Sequence, residues 1–247
     1  MKKLYFLVIM ALMLPLLSWA KIPDEEDILR KIIDRSSPYF YTHLMMRYNA
    51  LEQLTEDDYH YLYYGYAYDQ AYKPFATNAA LDELYTTMAT IDMEHPRKED
   101  LAHIITTCNQ AMLIDPFNPT VLNMLVFAYG HSGNKAKEQA YFRHLNGILE
   151  TIKSSGDGRS EKYPMHIIMF SHAIELMASM GLECRDAQIV SRTCEYIPLV
   201  EPRRVPDGKI KGFYFDYSRI YRNKPEDVTF KKKRTWQFNN LGVREYK

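Results

Sequence analysis

Residues 59–72 read YHYLYYGYAYDQAY, seven tyrosines in fourteen positions. The segment is opened by Thr55-Glu56-Asp57-Asp58. Thr55 suits a helix N-cap, and Asp58 stands three residues on, where its carboxylate can reach back to the cap. Three acids in one turn also complement the positive end of a helix dipole. Within the stretch Tyr61, Tyr64 and Tyr68 recur at spacings of three and four, so they share one face of a helix. Strict alternation would instead make a strand, but the acidic cap and Gly65 favour the helix. A large-residue stripe with hydroxyls at its rim makes a core helix; a sugar-stacking platform would need the rings exposed together. The expectation is therefore that Tyr61, Tyr64 and Tyr68 are core. Tyr59, Tyr63 and Tyr66 fall on the other faces and are the candidate ligand-binding residues.

Upstream of this stretch, Ile28, Ile32 and Ile33 form one stripe of a helix beginning near Asp24, stopped at Ser36-Ser37-Pro38. A second helix is predicted to run to about Leu54. Two more cover residues 78–93 and 99–114, the latter with Leu101, Ile104, Ile105, Cys108 and Met112 facing inward. The run LIDPFNP, residues 113–119, ends one helix and starts another, because proline stops the first and suits the opening turn of the second. Residues 134–153 and 164–180 read as helices around an SSGDGRS loop, in which a turn is expected rather than a phosphate cradle, since no Lys-Ser or Lys-Thr follows.

Tyr61-x-x-Tyr64-Gly65-x-x-Tyr68 resembles the first-helix signature of a tetratricopeptide repeat, where glycine lets a partner helix approach closely. Leu122, Leu125 and Tyr129 repeat the pattern after the Asp115-Pro116 turn, although Val126 replaces the glycine and the offset of 61 residues is no multiple of 34. After residue 195 the character changes. Pro206-Asp207-Gly208 is a turn signal, KIKGFYFDYSRIY alternates, and so does VTFKKKRTWQF from Val228. The predicted fold is mostly α, with tetratricopeptide-like helical hairpins over residues 21–195. A small C-terminal antiparallel β element and a basic tail occupy residues 196–247.

Residues 1–20, MKKLYFLVIMALMLPLLSWA, have the build of a signal peptide: two lysines, an apolar run too short to span a bilayer, and small residues at 18 and 20. Cleavage after Ala20 is expected, with export to the periplasm or cell surface. No cysteine stands there to carry a lipoprotein's lipid, and no transmembrane segment is expected in the mature chain. The formal charge of zero is divided unevenly, with residues 21–200 net acidic and residues 201–247 net basic. Attraction between the two parts, or separate partners, is expected; nucleic acid is not. Cys184 and Cys194 are near enough in sequence for a bridge if a loop brings their Cα atoms within about 7 Å. Cys108 reads as a buried small hydrophobe. No HExxH, GxSxG or nucleotide-loop motif is present, and the histidine spacings suit no metal, so no catalytic, metal or cofactor residues are assigned.

The block SPYFYTHLMMRYNALEQLTEDDYHYLYYGYAYDQAYKPF, residues 37–75, with SSGDGRSEKYPMHIIMFSHAIELM and KIKGFYFDYSRIY, resembles an uncharacterised domain-of-unknown-function family. That family comprises exported, Bacteroidetes-type bacterial proteins with tetratricopeptide-like helices. The resemblance implies a fold class and export but no activity. The functional expectation is a non-catalytic binding or scaffold module of the cell envelope, with an envelope protein or polymer as partner. An envelope hydrolase, its site assembled from distant residues, is the alternative.

Overall fold

The structure, a computed structural model, describes residues 20–206 and 208–224. The predicted leader before Ala20 and the predicted strand from Val228 lie outside the described residues. Among the latter are nine α-helices and four strands: a mostly helical chain with a small mixed sheet. The helices are α1 (Glu25–Ile33), α2 (Tyr41–Asn49), α3 (Glu56–Gly65), α4 (Ala79–Thr90), α5 (Lys98–Ala111), α6 (Pro119–His131), α7 (Lys135–Ser154), α8 (Phe170–Ser179) and α9 (Ser218–Arg222). The strands are β1 (Met165–His166), β2 (Gln188–Ile189), β3 (Cys194–Val205) and β4 (Gly208–Asp216).

The tyrosine stretch is α3 followed by a 3-10 turn, Tyr66–Tyr68. Thr55 caps it through the expected box, its hydroxyl accepting from the Asp58 amide while the Asp58 carboxylate accepts from the Thr55 amide. The division of its faces was too narrow, however. Tyr59, Tyr63 and Tyr66 are as buried as Tyr61 and Tyr64, whereas Tyr68 is half-buried. A helix enclosed on all sides must be apolar or satisfied on all sides. Here each hydroxyl finds a different element. Tyr59 meets His144 of α7 at 2.7 Å, Tyr61 donates to Asp27 of α1 at 2.7 Å, and Tyr63 meets His172 of α8 at 2.7 Å. Tyr64 donates to the His166 carbonyl of β1 at 3.1 Å, and Tyr66 to the Ile114 carbonyl at 2.9 Å. The tyrosines are spokes that tie α3 to the rest of the domain. Gly65 serves as expected: a Cβ there would stand 3.1 Å from the Tyr41 ring and 3.2 Å from Ile32, so α1 and α2 pack against it.

Around this axis lies the main core, and a second cluster joins α4, α5 and α6 through Leu84, Ile104, Cys108, Val121 and Leu125. Cys108 is the buried hydrophobe expected, its thiol pushed up to about 12 by burial. Asn118 caps α6 with Pro119 at its first position. The sheet order is β1-β4-β3-β2, with β1 parallel to β4 and the other pairs antiparallel. The expected C-terminal antiparallel element is the β3–β4 hairpin, to which β1 adds a parallel partner from outside that segment. Residues 164–169 were expected to be helix; instead Met165 and His166 pair with Phe215 and Asp216. A Ser155 bond to the His166 amide, at 2.8 Å, helps hold that segment extended. The three described cysteines are free. Cys184 faces Leu199, five residues along β3 from Cys194, which at about 3.3 Å per residue is far beyond disulfide reach. Part of the expected charge attraction is present where Arg222 and Arg219 of α9 pair with Glu25 of α1.

His60 is buried beside α3's own rings, with Nδ1 unpartnered. Burial, helped by Lys21 and Arg219 and opposed by Asp57 and Asp27, drops its pKa from 6.5 to about 4. Between those values the unfolded chain holds a proton that the folded chain refuses, so stability falls as pH falls through that window. The slope from this ring is up to about 1.4 kcal/mol per pH unit. Urea titrations from pH 7 to 4 should show His60→Phe losing less stability than wild type; parallel curves would refute the assignment.

Candidate functional site: a tyrosine- and methionine-lined cleft

A cleft of about 600 Å³ lies between α2, the turn after α3, the end of α5 and α7. Its walls are mostly apolar. Met45 and Met46 line one side, Met112, Leu113 and Pro116 the other, and Tyr48, Tyr66 and His144 are also in the lining. Two of these residues lie open to solvent, Met46 at 62% and Leu113 at 77% exposure. Methionine adapts its shape to varied apolar surfaces, which suits a binding wall more than a rigid core.

Polar groups are few. The Tyr41 hydroxyl is buried without a hydrogen-bond partner, and Asp69, Asn49 and Asn109 border the same space. Burial raises the Tyr41 phenol well above its ordinary range, with Asp69 adding to the effect, so it stays protonated and can donate. An unpaired buried hydroxyl costs roughly 1–3 kcal/mol. Leu51, also in the lining, is held at φ 59°, the one positive φ at a non-glycine among the described residues. It follows α2 where a Schellman turn normally places glycine: Glu52 donates to the Arg47 carbonyl and Leu51 to that of Tyr48. A branched side chain there is strained by about 1–2 kcal/mol, and such strain gathers at functional sites.

His144 closes the floor. Its Nε2 meets the Tyr48 carbonyl at 3.0 Å, so that nitrogen carries the proton and Nδ1 accepts from Tyr59. Burial lowers its pKa, which keeps this neutral tautomer.

A second buried polar group lies deeper. His172 Nε2 is 3.0 Å from Asp115 Oδ2, and its Nδ1 is 2.7 Å from the Tyr63 hydroxyl. Burial would depress the His172 pKa, but Asp115's charge and hydrogen bond, together with Glu175, raise it overall. Asp115 also accepts from the Phe117 amide and from Asn118 Nδ2. His172 is 0% and Asp115 3% exposed, so this group holds α8 to the α5–α6 turn rather than meeting solvent.

A family model described as "Domain of unknown function (DUF4919)" matches residues 26–226. The chain belongs to this family. No curated protein and no solved structure matches it. The DUF4919 match takes in the cleft, the buried group and the whole sheet.

Within the DUF4919 domain the three candidate tyrosines do not form one site. Tyr66 lines the cleft, Tyr59 lines a separate opening with His60 and Lys21, and Tyr63 is sealed inside. All three lie within the packed part of α3 and the turn after it, which is buried from Asp58 to Tyr66. The cleft residues Tyr41, Met46 and Leu113 were not singled out from the sequence. The available signal was a large apolar side chain on the polar side of an amphipathic helix, as at Met46. Among the described residues no group of three His, Cys, Asp or Glu side chains could hold a metal ion, and no helix is long and apolar enough to cross a membrane.

Proposed function

We propose that this protein is a non-catalytic binding module of the bacterial cell envelope, one that takes an apolar segment of an envelope partner into the cleft. The observation that carries the binding part is an open cleft with methionine and leucine walls, in which Met46 and Leu113 stand exposed. Apolar walls with a few placed polar groups are the usual make-up of ligand sites. Envelope location rests on the leader-like residues 1–20. The tetratricopeptide-like reading is supported by α4 to α7 following one another with each packed on the next, as repeat helices do.

Two experiments test it. N-terminal sequencing of the protein recovered from bacterial envelopes should begin at Lys21; an intact leader in the cytoplasmic fraction would remove the envelope assignment. For the cleft, capture from intact envelopes should fall at least about tenfold in Met46→Glu/Leu113→Glu, because a carboxylate on an apolar wall is desolvated by the ligand. Both side chains are exposed, so the fold should survive, as circular dichroism would verify. Undiminished capture of the same partners would rule out the cleft as their site.

A further inference from the structure

Three of the four residues that follow Ala20 are fastened to the domain. The Lys21 amide donates to the Ser154 carbonyl at 2.6 Å, and the Lys21 ammonium pairs with Asp57 in the first turn of α3. The Pro23 carbonyl accepts from Arg219 of α9 at 3.0 Å. The Asp24 carboxylate caps α1 by accepting from the Asp27 amide at 2.7 Å.

Lys21 sits in an opening of about 470 Å³ between α3 and α7, separate from the cleft. The Tyr59 ring forms one side. A Cβ on Gly147 of α7 would come within 2.3 Å of that ring, so glycine lets the ring lie against the helix. Apart from Lys21, the charged lining is acidic, with Glu56 from α3 and Glu150 from α7. One oxygen of Glu150 also accepts from Lys153 at 2.9 Å. Ser154 is the last residue of α7, so its carbonyl belongs to the negative end of that helix's dipole.

We propose that this opening is the seat of the chain's own amino terminus once the leader is removed, and that the cut tightens the fold by setting a positive charge on the end of α7. The inference rests on the reading of residues 1–20 as a leader cut after Ala20. Hydrolysis of the Ala20–Lys21 bond consumes one water, leaves a carboxylate on Ala20 and turns the Lys21 amide nitrogen into an ammonium. The hydrogen bond to Ser154 is made in either form, so what the cut adds is charge. That charge arrives among the C-terminus of a helix, Glu56 and Glu150. A cation at such a helix end raises the folding constant by about two- to fivefold, and by more where it is partly buried. The precursor is then the less stable form.

The groups around the new ammonium are the Lys21 side chain, Glu56, Asp57, Tyr59 and His60 of α3, and Glu150 with Lys153 of α7. Burial keeps His60 neutral above about pH 4 and Tyr59 protonated, while the Lys21 hydrogen bond holds Asp57 ionised. The pH dependence therefore follows the α-amine, which ordinarily titrates near 7.7–8.0. Acidic surroundings raise that value on folding. The added stability is fully present below the ordinary value and is lost as pH rises through the raised one.

The test compares two chains freed from a cleavable fusion, one starting at Lys21 and one at Ser18. The second keeps three leader residues, which carry the charged amine up to about 10 Å away. In urea titrations at pH 6.5 and low salt, the Lys21 chain should have the larger folding constant, by about fivefold, and the gap should close by pH 10. At pH 7.5 its α-amine should be acetylated at least about threefold more slowly than the Ser18 amine, each rate taken relative to the same chain in urea and read by mass spectrometry of the N-terminal peptide. Equal folding constants at pH 6.5, a gap that persists at pH 10, or equal relative acetylation would overturn the proposal. Should the protein from envelopes begin at another residue, the leader reading fails while this comparison still decides whether the seat prefers a charged amine.

Discussion

Asp115→Ala is expected to destabilise the protein by about 3–5 kcal/mol, the usual consequence of removing one partner from a buried charge pair. Asp115 faces His172 at 3.0 Å with both side chains essentially out of water, and it also accepts from the Phe117 amide and from Asn118. Alanine leaves all three donors without that acceptor. The deficit should depend on pH. His172 has a raised folded pKa, so the stabilisation from its pairing is fully present below its unfolded value of about 6.5 and is lost as pH rises through the folded value. The gap between wild type and variant, read from urea titrations, should therefore be widest in mild acid and narrow toward alkaline pH. Asp115→Asn, which retains a neutral acceptor, should fall between the two. A deficit below about 1 kcal/mol, no larger than a surface substitution gives, would mean that the pair does not anchor α8.

Gly156→Ala should cost more than about 3 kcal/mol, at the upper end for overpacking, because the atoms in its way are backbone. A Cβ at Gly156 would lie 2.0 Å from the Pro164 carbonyl oxygen and 2.8 Å from that of Tyr163. No rotamer change relieves such a contact. The loop after α7 is folded back here, with Ser155 donating to the Ile152 carbonyl at 2.6 Å and accepting from the His166 amide at 2.8 Å. Shifting Pro164 would drag β1 from β4. Gly133→Ala is the control. Gly133 has φ +79° with nothing within 4 Å of the missing Cβ, so it carries only the left-handed strain of about 1–2 kcal/mol. Denaturant midpoints of the two variants decide the matter; equal losses would show that the loop does not run against Pro164.

Much of the helical layout was legible because its signals are local. Thr55 with Asp58, and Asn118 with Pro119, mark helix starts through groups that lie within one turn of each other. Gly65 announced a close approach before the neighbours were known. What failed was the assignment of faces in α3 and of the chain before α8. Periodicity identifies a face by supposing that some other face is wet. Beyond the first turn of α3 none is, since α1, α7, α8, β1 and the α5–α6 turn each take a tyrosine hydroxyl. Residues 164–169 are apolar enough for helix, and a two-residue parallel pairing with β4 left no pattern to read.

Residues close together in the chain set the order of helices, the capping of α3 and α6, the sheet-forming end and the burial of Cys108. The cleft came only with three-dimensional packing, since Met46 and Leu113 line one space only after segments far apart in sequence have come together. Side-chain pattern within one segment carries no information about which remote segment will stand opposite, so a site built across such packing becomes visible only in three dimensions.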